Sequence, residues 1–325
     1  MSRVVIVMRT FERPVLLARA LASVAAQVHH DWHLVVVNNG GDPAGVDAVV
    51  AASAVARSGG SHSVLHLPDR SGMEAASNRA LAAAQGEFFA VHDDDDVWHP
   101  DFLAVTTARL LAEPDASAVV TGLTKVIETV RGDKVWPVRE EPFWLNEGRL
   151  TFRGMIGGNT FPPVAALFRS SLVARIGGFD ESLFVLGDWE FNLRAVRAGR
   201  FVHEPRVLAR YHVRTPDSDR TSANSIVDGE TLHRSTKLLL QERWLGETVD
   251  GVNKGLLSIQ AQAAGDAEEA LRRQDLRVAD VDVEAVANRV ADIMSTRRAH
   301  RRLLRGIRHP GHALRAVRRI LAGRR

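Results

Sequence analysis

Four aspartates in a row, Asp93 to Asp96, stand in the stretch VHDDDDVWHP directly behind GEFFA, which reads as a short buried strand. Two unit charges about 4 Å apart repel by about 4 kcal/mol at an effective dielectric near 20, so a cation, a proton or open water has to compensate such a row. The chain contains no cysteine, which leaves carboxylates and histidines as its only strong metal ligands. The turn Arg9-Thr10-Phe11-Glu12-Arg13 holds no glycine fingerprint and no P-loop occurs, so phosphate chemistry would have to run through these acids and a divalent metal, which hard oxygen ligands favour.

Such a row acts only where a fold presents it. The first 127 residues alternate apolar β-branched runs with helix-like segments. The runs are Val4–Met8, His33–Val37, Ser63–Leu67 and the one ending at the acids. The helices begin at Pro14, with Leu16, Leu17, Leu21 and Val24 on one side, and near Gly72. This alternation predicts a parallel sheet with helices on both faces. Ligands of such sheets gather beyond the carboxyl ends of the strands, where Thr10 to Arg13, Asn38-Asn39, Asp69-Arg70 and Asp93 to Asp96 all fall. The irregular segment 128–163 reads as loops lining a site. A strand over 164–168, a short helix ending at Gly177-Gly178 and a helix over about 188–198 follow, with Gly199 as its stop. Beyond about residue 229 the pattern is helical.

With 325 residues, 45% of them hydrophobic and 25% charged, the chain suits one α/β domain with appended helices, or two domains. No apolar run approaches the roughly 20 residues of a membrane span, and the apolar core of MSRVVIVMRTFERP is too short for a signal peptide; the expected location is cytoplasmic. The net charge of +3 hides an asymmetry: residues 297–325 carry 11 arginines and no acid, and the rest of the chain is net −8. Leu303, Leu304, Ile307, Leu314, Val317, Ile320 and Leu321 recur among those arginines at helical spacing, interrupted at Pro310-Gly311. Two amphipathic helices on the anionic inner face of a membrane are expected, with packing against the acidic remainder of the chain or a subunit contact as the alternative.

Taken in order, VVIVMRTFERPVLLARALASV, DWHLVVVNNGG, GMEAASNRALAAAQGEFFAVHDDDDVWHPDFL and ALFRSSLVARIGGFDESLFVLGDWEFNLRAVRAG resemble the family 2 glycosyltransferases of the GT-A fold, over about residues 3–215. The resemblance implies a Rossmann-like, mostly parallel α/β sheet flanked by helices over 1–228, with a nucleotide-sugar half (1–127), an acceptor half (128–228) and a helical C-terminal region (229–325). It implies inverting, metal-dependent transfer from a nucleoside-diphosphate sugar, a UDP- or TDP-sugar first, to a hydroxyl of a glycan or lipid-linked acceptor in cell-surface polysaccharide synthesis.

Residue by residue, the Asp-x-Asp motif of that family falls on Asp93-Asp94-Asp95. The resemblance makes Asp93, Asp95 and Asp96 ligands of Mn2+ or Mg2+, with His212 as a further candidate, and turns Asp93 and Asp94 toward the donor. Thr10, Glu12 and Arg13 match the nucleotide-binding turn, with Glu12 where asparagine is more frequent. Asn38 and Asn39 stand where paired aspartates often read the base edge, and Arg70 and Asn78 lie in the donor-side stretch. Asp188 is the implied general base, in Gly-Asp where the family usually has Glu-Asp. Trp144, Asn159, Trp189 and Glu190 are the expected acceptor contacts.

Plainer structural roles compete for the same residues: a helix-capping acidic turn, an Asn-Gly turn, an N-cap at Asp188, buried tryptophans. Two other classes compete for the whole chain. A nucleotidyltransferase on a similar fold would need a glycine-rich N-terminal loop with a basic residue, which is absent. A non-catalytic nucleic-acid-binding protein led by its tail would leave Asp93 to Asp96 and Asp188 unexplained, so no nucleic-acid partner is expected. A homo-oligomer is left open.

Overall fold

The computed structural model describes residues 4–143, 145, 147–219 and 230–273; Trp144 and the tail 297–325 lie outside the described residues. Strand β1 (Val4–Thr10) is apolar at every position from Val4 to Met8, and all five side chains are buried. A strand covered on both faces has no reason to alternate. It lies between β2 (Trp32–Asn39) and β4 (Phe88–Val91), both parallel to it, and β3 (Ser61–Leu67) runs parallel outside β2. The register sets Thr10 beside Asn38 and Val7 beside Val91, and His92 N–H continues the ladder to Val7 O at 2.8 Å. The strand ends that carry the candidate residues therefore open along one edge.

Helix α1 (Pro14–Ala25) begins with proline, whose fixed φ suits a first turn and whose missing N–H would have had no partner there. It buries Leu16, Leu17, Leu21 and Val24, the side its sequence pattern selects. Helices α2 (Pro43–Ala52), α3 (Met73–Ala83) and α4 (Phe102–Ala112) supply the remaining crossovers.

Beyond β4 the sheet becomes mixed. Its order is β3-β2-β1-β4-β8-β6-β9-β5, where β5 is Val97–Trp98, β6 Ala116–Arg131, β8 Ala166–Arg169 and β9 Arg200–Arg214. Strand β8 is antiparallel to β4 and β6, β9 is parallel to β6, and β5 is antiparallel to β9. The expectation of loops over 128–163 is corrected in its first part. Strand β6 runs to Arg131, the chain turns at Gly132 with φ 58°, and β7 (Lys134–Phe143) returns antiparallel to β6. Strand β7, KVWPVREEPF, is largely exposed and holds two prolines, so it lacks both the apolar run and the buried alternation that betray a strand. From 147 onward the segment is irregular as expected, with two 3-10 turns and the one-turn helix α5 (Phe152–Met155).

Helix α6 (Ser171–Ile176) and helix α7 (Gly187–Ala198) follow β8. The described chain ends with α8 (Glu230–Trp244), a small hairpin of β10 (Thr248–Val249) and β11 (Val252–Asn253), and α9 (Lys254–Arg273). One compact unit spans Met1–Asp266, and α8 joins its core through Leu240 and Trp244, the latter edge-on to Trp189 with ring centroids 5.2 Å apart. Among the described residues no helix is long and apolar enough to cross a membrane.

Candidate active site

The row of aspartates leaves β4 on the carboxyl edge and is met by arginines. Arg9, the one charged residue of β1, donates from Nε and Nη2 to the two oxygens of Asp93, both at 2.7 Å. Arg13 Nη1 lies 3.3 Å from Asp94 Oδ1 and 3.3 Å from Asp95 Oδ2. Arg214, wholly buried at the end of β9, donates to Asp95 Oδ2. Arg19 on α1 reaches the Asp95 carbonyl at 2.5 Å and grips Glu128 at 2.7 and 3.0 Å. Paired guanidinium groups thus supply the compensation that the repulsion demands, and charge-assisted pairs of this kind are the strong ones.

Asp94, Asp95 and Asp96 titrate according to burial and their partners. Burial pushes Asp94 up to about 6 against the pull of Arg13. Burial also works on Asp95, but Arg214 and Arg13 overcome it and hold the group down near about 2. Asp96 is driven well above the usual carboxylate range by burial and by Asp95 beside it. Its Oδ1 accepts His212 N–H at 2.8 Å, because β5, which follows at once, pairs Val97 with Arg210 of β9. Asp96 is therefore a strap between β4 and β9, with its Oδ1 committed to that bond. Both oxygens of Asp93 are held by Arg9 in this structure. His212 Nδ1 lies 2.7 Å from Glu128 Oε2, tying the ring to a carboxylate that Arg19 also holds. Among the described residues no three His, Cys, Asp or Glu side chains are gathered around a metal position. Asp94 Oδ2 is buried without a hydrogen-bond partner.

Across the crevice, Asp188 stands in the first turn of α7. Asn159 Nδ2 donates to its Oδ2 at 2.5 Å. Burial raises the Asp188 pKa, opposed by the Trp189 N–H, Arg9 and Asn159. The loop carrying Asn159 is tied down from several directions. Trp189 Nε1 donates to Met155 O at 2.7 Å, Ser258 Oγ to Ile156 O at 2.8 Å and Lys237 Nζ to Gly157 O at 2.7 Å. Helices α8 and α9 thereby brace the partner of Asp188.

Several expected contacts receive a structural role instead. Trp189 is wholly buried with its N–H spent on Met155, so it has no free face for a sugar. Glu190 is buried and bonded to Arg194, whose guanidinium also holds Ile176 O at 2.6 Å and Gly178 O at 2.8 Å. Asn38 is buried, exchanging hydrogen bonds with Gly41 at 2.8 and 2.9 Å, and Asn39 is bonded to Ser71 and Gly72. Both amides fix their turn and the neighbouring loop, where Gly40 at φ 88° admits Arg70 N within 2.7 Å of where its Cβ would be; neither reads a base edge as placed. Asn78 bonds Phe179 O and Phe179 N, both at 2.9 Å, tying α3 to the loop before α7. Arg70 is exposed and lies over the Phe11 ring at 4.5 Å. Thr10 is buried, its Oγ1 without a hydrogen-bond partner.

Glu12 adopts φ 52°, a left-handed conformation that costs an ordinary side chain about 1–2 kcal/mol and that asparagine tolerates better. Glu12→Asn should therefore raise stability by about 1 kcal/mol, read as a higher urea midpoint at unchanged slope. An unchanged or lower midpoint would show that the turn holds Glu12 without strain.

Sequence reasoning missed Arg9, Arg19, Glu74, Glu128 and Arg214. Arg9 did leave a signal, a lone charge near the end of an otherwise apolar strand; Arg214 left none, ending a strand that also carries Arg200, Glu204, Arg206 and Arg210. Glu74 and Glu128 left none, being one acid each in ordinary-looking elements.

The fold brings together acids leaving the carboxyl edge of an α/β sheet and a carboxylate of raised pKa at the start of a helix, which places the chain among the α/β proteins whose strand ends carry the candidate site. Residues 5–177 match the family described as glycosyl transferase family 2, and the chain belongs to that family. It is 28% identical over 256 residues to the PGL/p-HBAD biosynthesis glycosyltransferase of Mycobacterium tuberculosis, covering 74% of this chain and 90% of that one. Staphylococcus aureus TarS superposes with a TM-score of 0.57 at 18% identity, over 81% of this chain and 43% of that one. The mannosyltransferase PcManGT of Pyrobaculum calidifontis, in complex with GDP-Man and Mn2+, superposes at 0.55 and 17% identity, over 99% and 88%. The chain spans only 19% of the length of another relative, the uncharacterized protein y4gI of Sinorhizobium fredii, at 26% identity over 56% of this chain.

Proposed function

We propose that the protein transfers a sugar, with inversion, from a nucleoside-diphosphate sugar to a hydroxyl of a glycan or lipid-linked acceptor in cell-surface polysaccharide synthesis. UDP- and TDP-sugars are the first donors to test. The observation that carries this reading is Asp188, held by Asn159 at the mouth of α7 and facing the Arg9–Asp93 pair of the opposite wall. An acceptor hydroxyl attacks the anomeric carbon from the Asp188 side. The new C–O bond forms as the bond to the β-phosphate oxygen breaks, Asp188 takes the hydroxyl proton, and the nucleoside diphosphate leaves with the electron pair. Burial lifts the pKa of Asp188, which makes it a stronger base than a free aspartate.

Hard carboxylate oxygens and the partnerless Asp94 Oδ2 suit a divalent cation, so in this reading Asp94 and Asp95 would hold Mn2+ or Mg2+ once Arg13 yields its place. Bound there, the ion would stabilise the charge that develops on the leaving diphosphate. Arg9 holds Asp93 on the wall opposite Asp188, and Asn159 keeps the Asp188 carboxylate oriented.

A thermal-shift panel of UDP, TDP, GDP and CDP, each with Mn2+ and with chelator, tests the donor side. Saturation at about 100 times Kd should stabilise the fold by about 2.7 kcal/mol for one or two of the nucleotides. The shift should shrink with chelator and in Asp95→Ala. Equal shifts in chelator and in Mn2+ would remove the metal from this reading, and no shift with any nucleotide would remove the donor.

A further inference from the structure

Glu74 is the buried acid that the chemistry above leaves unused. It sits in the first turn of α3, only 3% exposed, with Oε2 3.3 Å from Arg9 Nη1. Its carboxylate packs against Gly187, the first residue of α7, whose backbone N–H helps lower its pKa. A Cβ added at Gly187 would lie 2.1 Å from Glu74 Oε1, 2.3 Å from its Cγ and 2.5 Å from its Cδ. Gly187 is not among the glycines at positive φ, so its backbone does not call for glycine. The position requires the absence of a side chain, and the Glu74 carboxylate fills the vacated space.

We propose that Glu74 is a positioning residue of the transfer site, filling from α3 the space that Gly187 leaves open and fixing the first turn of α7, with Asp188, against Arg9 and Asp93. Arg9 is the hub of this arrangement. Its Nε and Nη2 hold Asp93, while Nη1 faces Glu74, Met73 O at 3.4 Å and Ser77 Oγ at 3.3 Å. Glu74 thus bonds to the guanidinium that grips the donor-side acid and packs against the first residue of the helix that presents the base. Burial pushes its pKa up to about 7 despite Arg9, with Asp188 and Asp93 adding repulsion. A buried carboxylate is a costly way to fill space, and cost of that kind concentrates at functional sites.

The inference rests on Asp188 as the base, so Asp188→Asn is measured beside Glu74→Ala, Glu74→Gln, Gly187→Glu and Glu74→Ala/Gly187→Glu. The probes are UDP release from UDP-glucose, TDP release from TDP-glucose, the Kd of UDP and TDP, Tm, and hydrogen exchange at the Asp188 and Trp189 amides. Glu74→Ala should slow release by about 10–100-fold, the worth of a hydrogen bond to a charged group, with nucleotide Kd changed by less than about threefold. It should speed exchange at the start of α7, a readout that needs no turnover. Gly187→Glu alone should lower Tm, because two side chains then need one space. The double variant, its acid returned from the opposite side, should regain Tm, amide protection and most of the rate.

Release or exchange in Glu74→Ala within about threefold of wild type would overturn the proposal. So would a double variant that recovers Tm but neither rate nor protection, since Glu74 would then be a space-filler. If Glu74→Ala does not fold, Glu74→Gln, which keeps the volume and loses the charge, decides on the same readouts. Loss of rate in Asp188→Asn together with an unaffected Glu74→Ala removes this inference alone. A fully active Asp188→Asn removes the base.

Discussion

Asp188→Asn should lower turnover by roughly 10²–10⁴-fold, the usual worth of a positioned general base, while nucleotide affinity and Tm stay close to wild type. The amide keeps the size of the carboxylate and can still accept from Asn159, whose Nδ2 lies 2.5 Å from Asp188 Oδ2, so the loss would report proton transfer and little else. The pH dependence follows from the sign of the shift. Burial raises the Asp188 pKa, so the base is protonated and activity falls as the pH drops, beginning above the ordinary aspartate range. Its acid limb should vanish in the variant. Turnover within a few-fold of wild type would assign the base to another residue.

Arg214→Met should destabilise the fold by about 3–5 kcal/mol, the cost of stranding a buried charge. The side chain of Arg214 is wholly buried, and it bonds Asp95 and its own neighbour His212 O at 3.2 Å, with Glu128 Oε1 at 3.7 Å. Its removal leaves Asp95, which it helps hold near about 2, short of its main counter-charge in a dry place. Replacing that acid as well, in Arg214→Met/Asp95→Asn, should recover much of the loss, because a pair removed together leaves nothing unpaired. For a domain of this size the single variant would lower Tm by roughly 6–20 °C. A single variant within about 1 kcal/mol of wild type would mean that water or Arg13 already satisfies Asp95.

These two residues also mark the limit of what the sequence made legible. The parallel half of the sheet was readable because Val4–Met8 and Phe88–Val91 are continuous apolar runs that few other structures accommodate, and the strand ends located the crevice. Asp188 and the row of aspartates were readable as residue types at the ends of elements. Their counter-charges were not. Arg9 and Asp93 are 84 positions apart, and Arg214 and Asp95 are 119 apart, separations set by strand pairing that no local pattern encodes.

Asn38, Asn39, Trp189 and Glu190 were expected to meet substrate. Each is polar or aromatic at a plausible place, yet burial and committed hydrogen bonds give each a structural task. Strand β7 escaped because an exposed edge strand has neither alternation nor a hydrophobic run. Glu74 escaped because nothing in MEAASNRALAA separates a buried acid from a solvated one; only the missing side chain of Gly187, over a hundred residues away, reveals where it points.

The central claim is that the two walls of the crevice act together as a sugar-transfer site. The most direct test is the nucleotide released from UDP-glucose and TDP-glucose, with Mn2+ and a bacterial glycolipid extract as acceptor, by wild type and by Asp188→Asn. The account predicts free nucleoside diphosphate in step with loss of the donor sugar for the wild type, and donor bound but scarcely consumed by the variant. Release of nucleoside monophosphate or pyrophosphate, or a variant that consumes donor as fast as wild type, would contradict it.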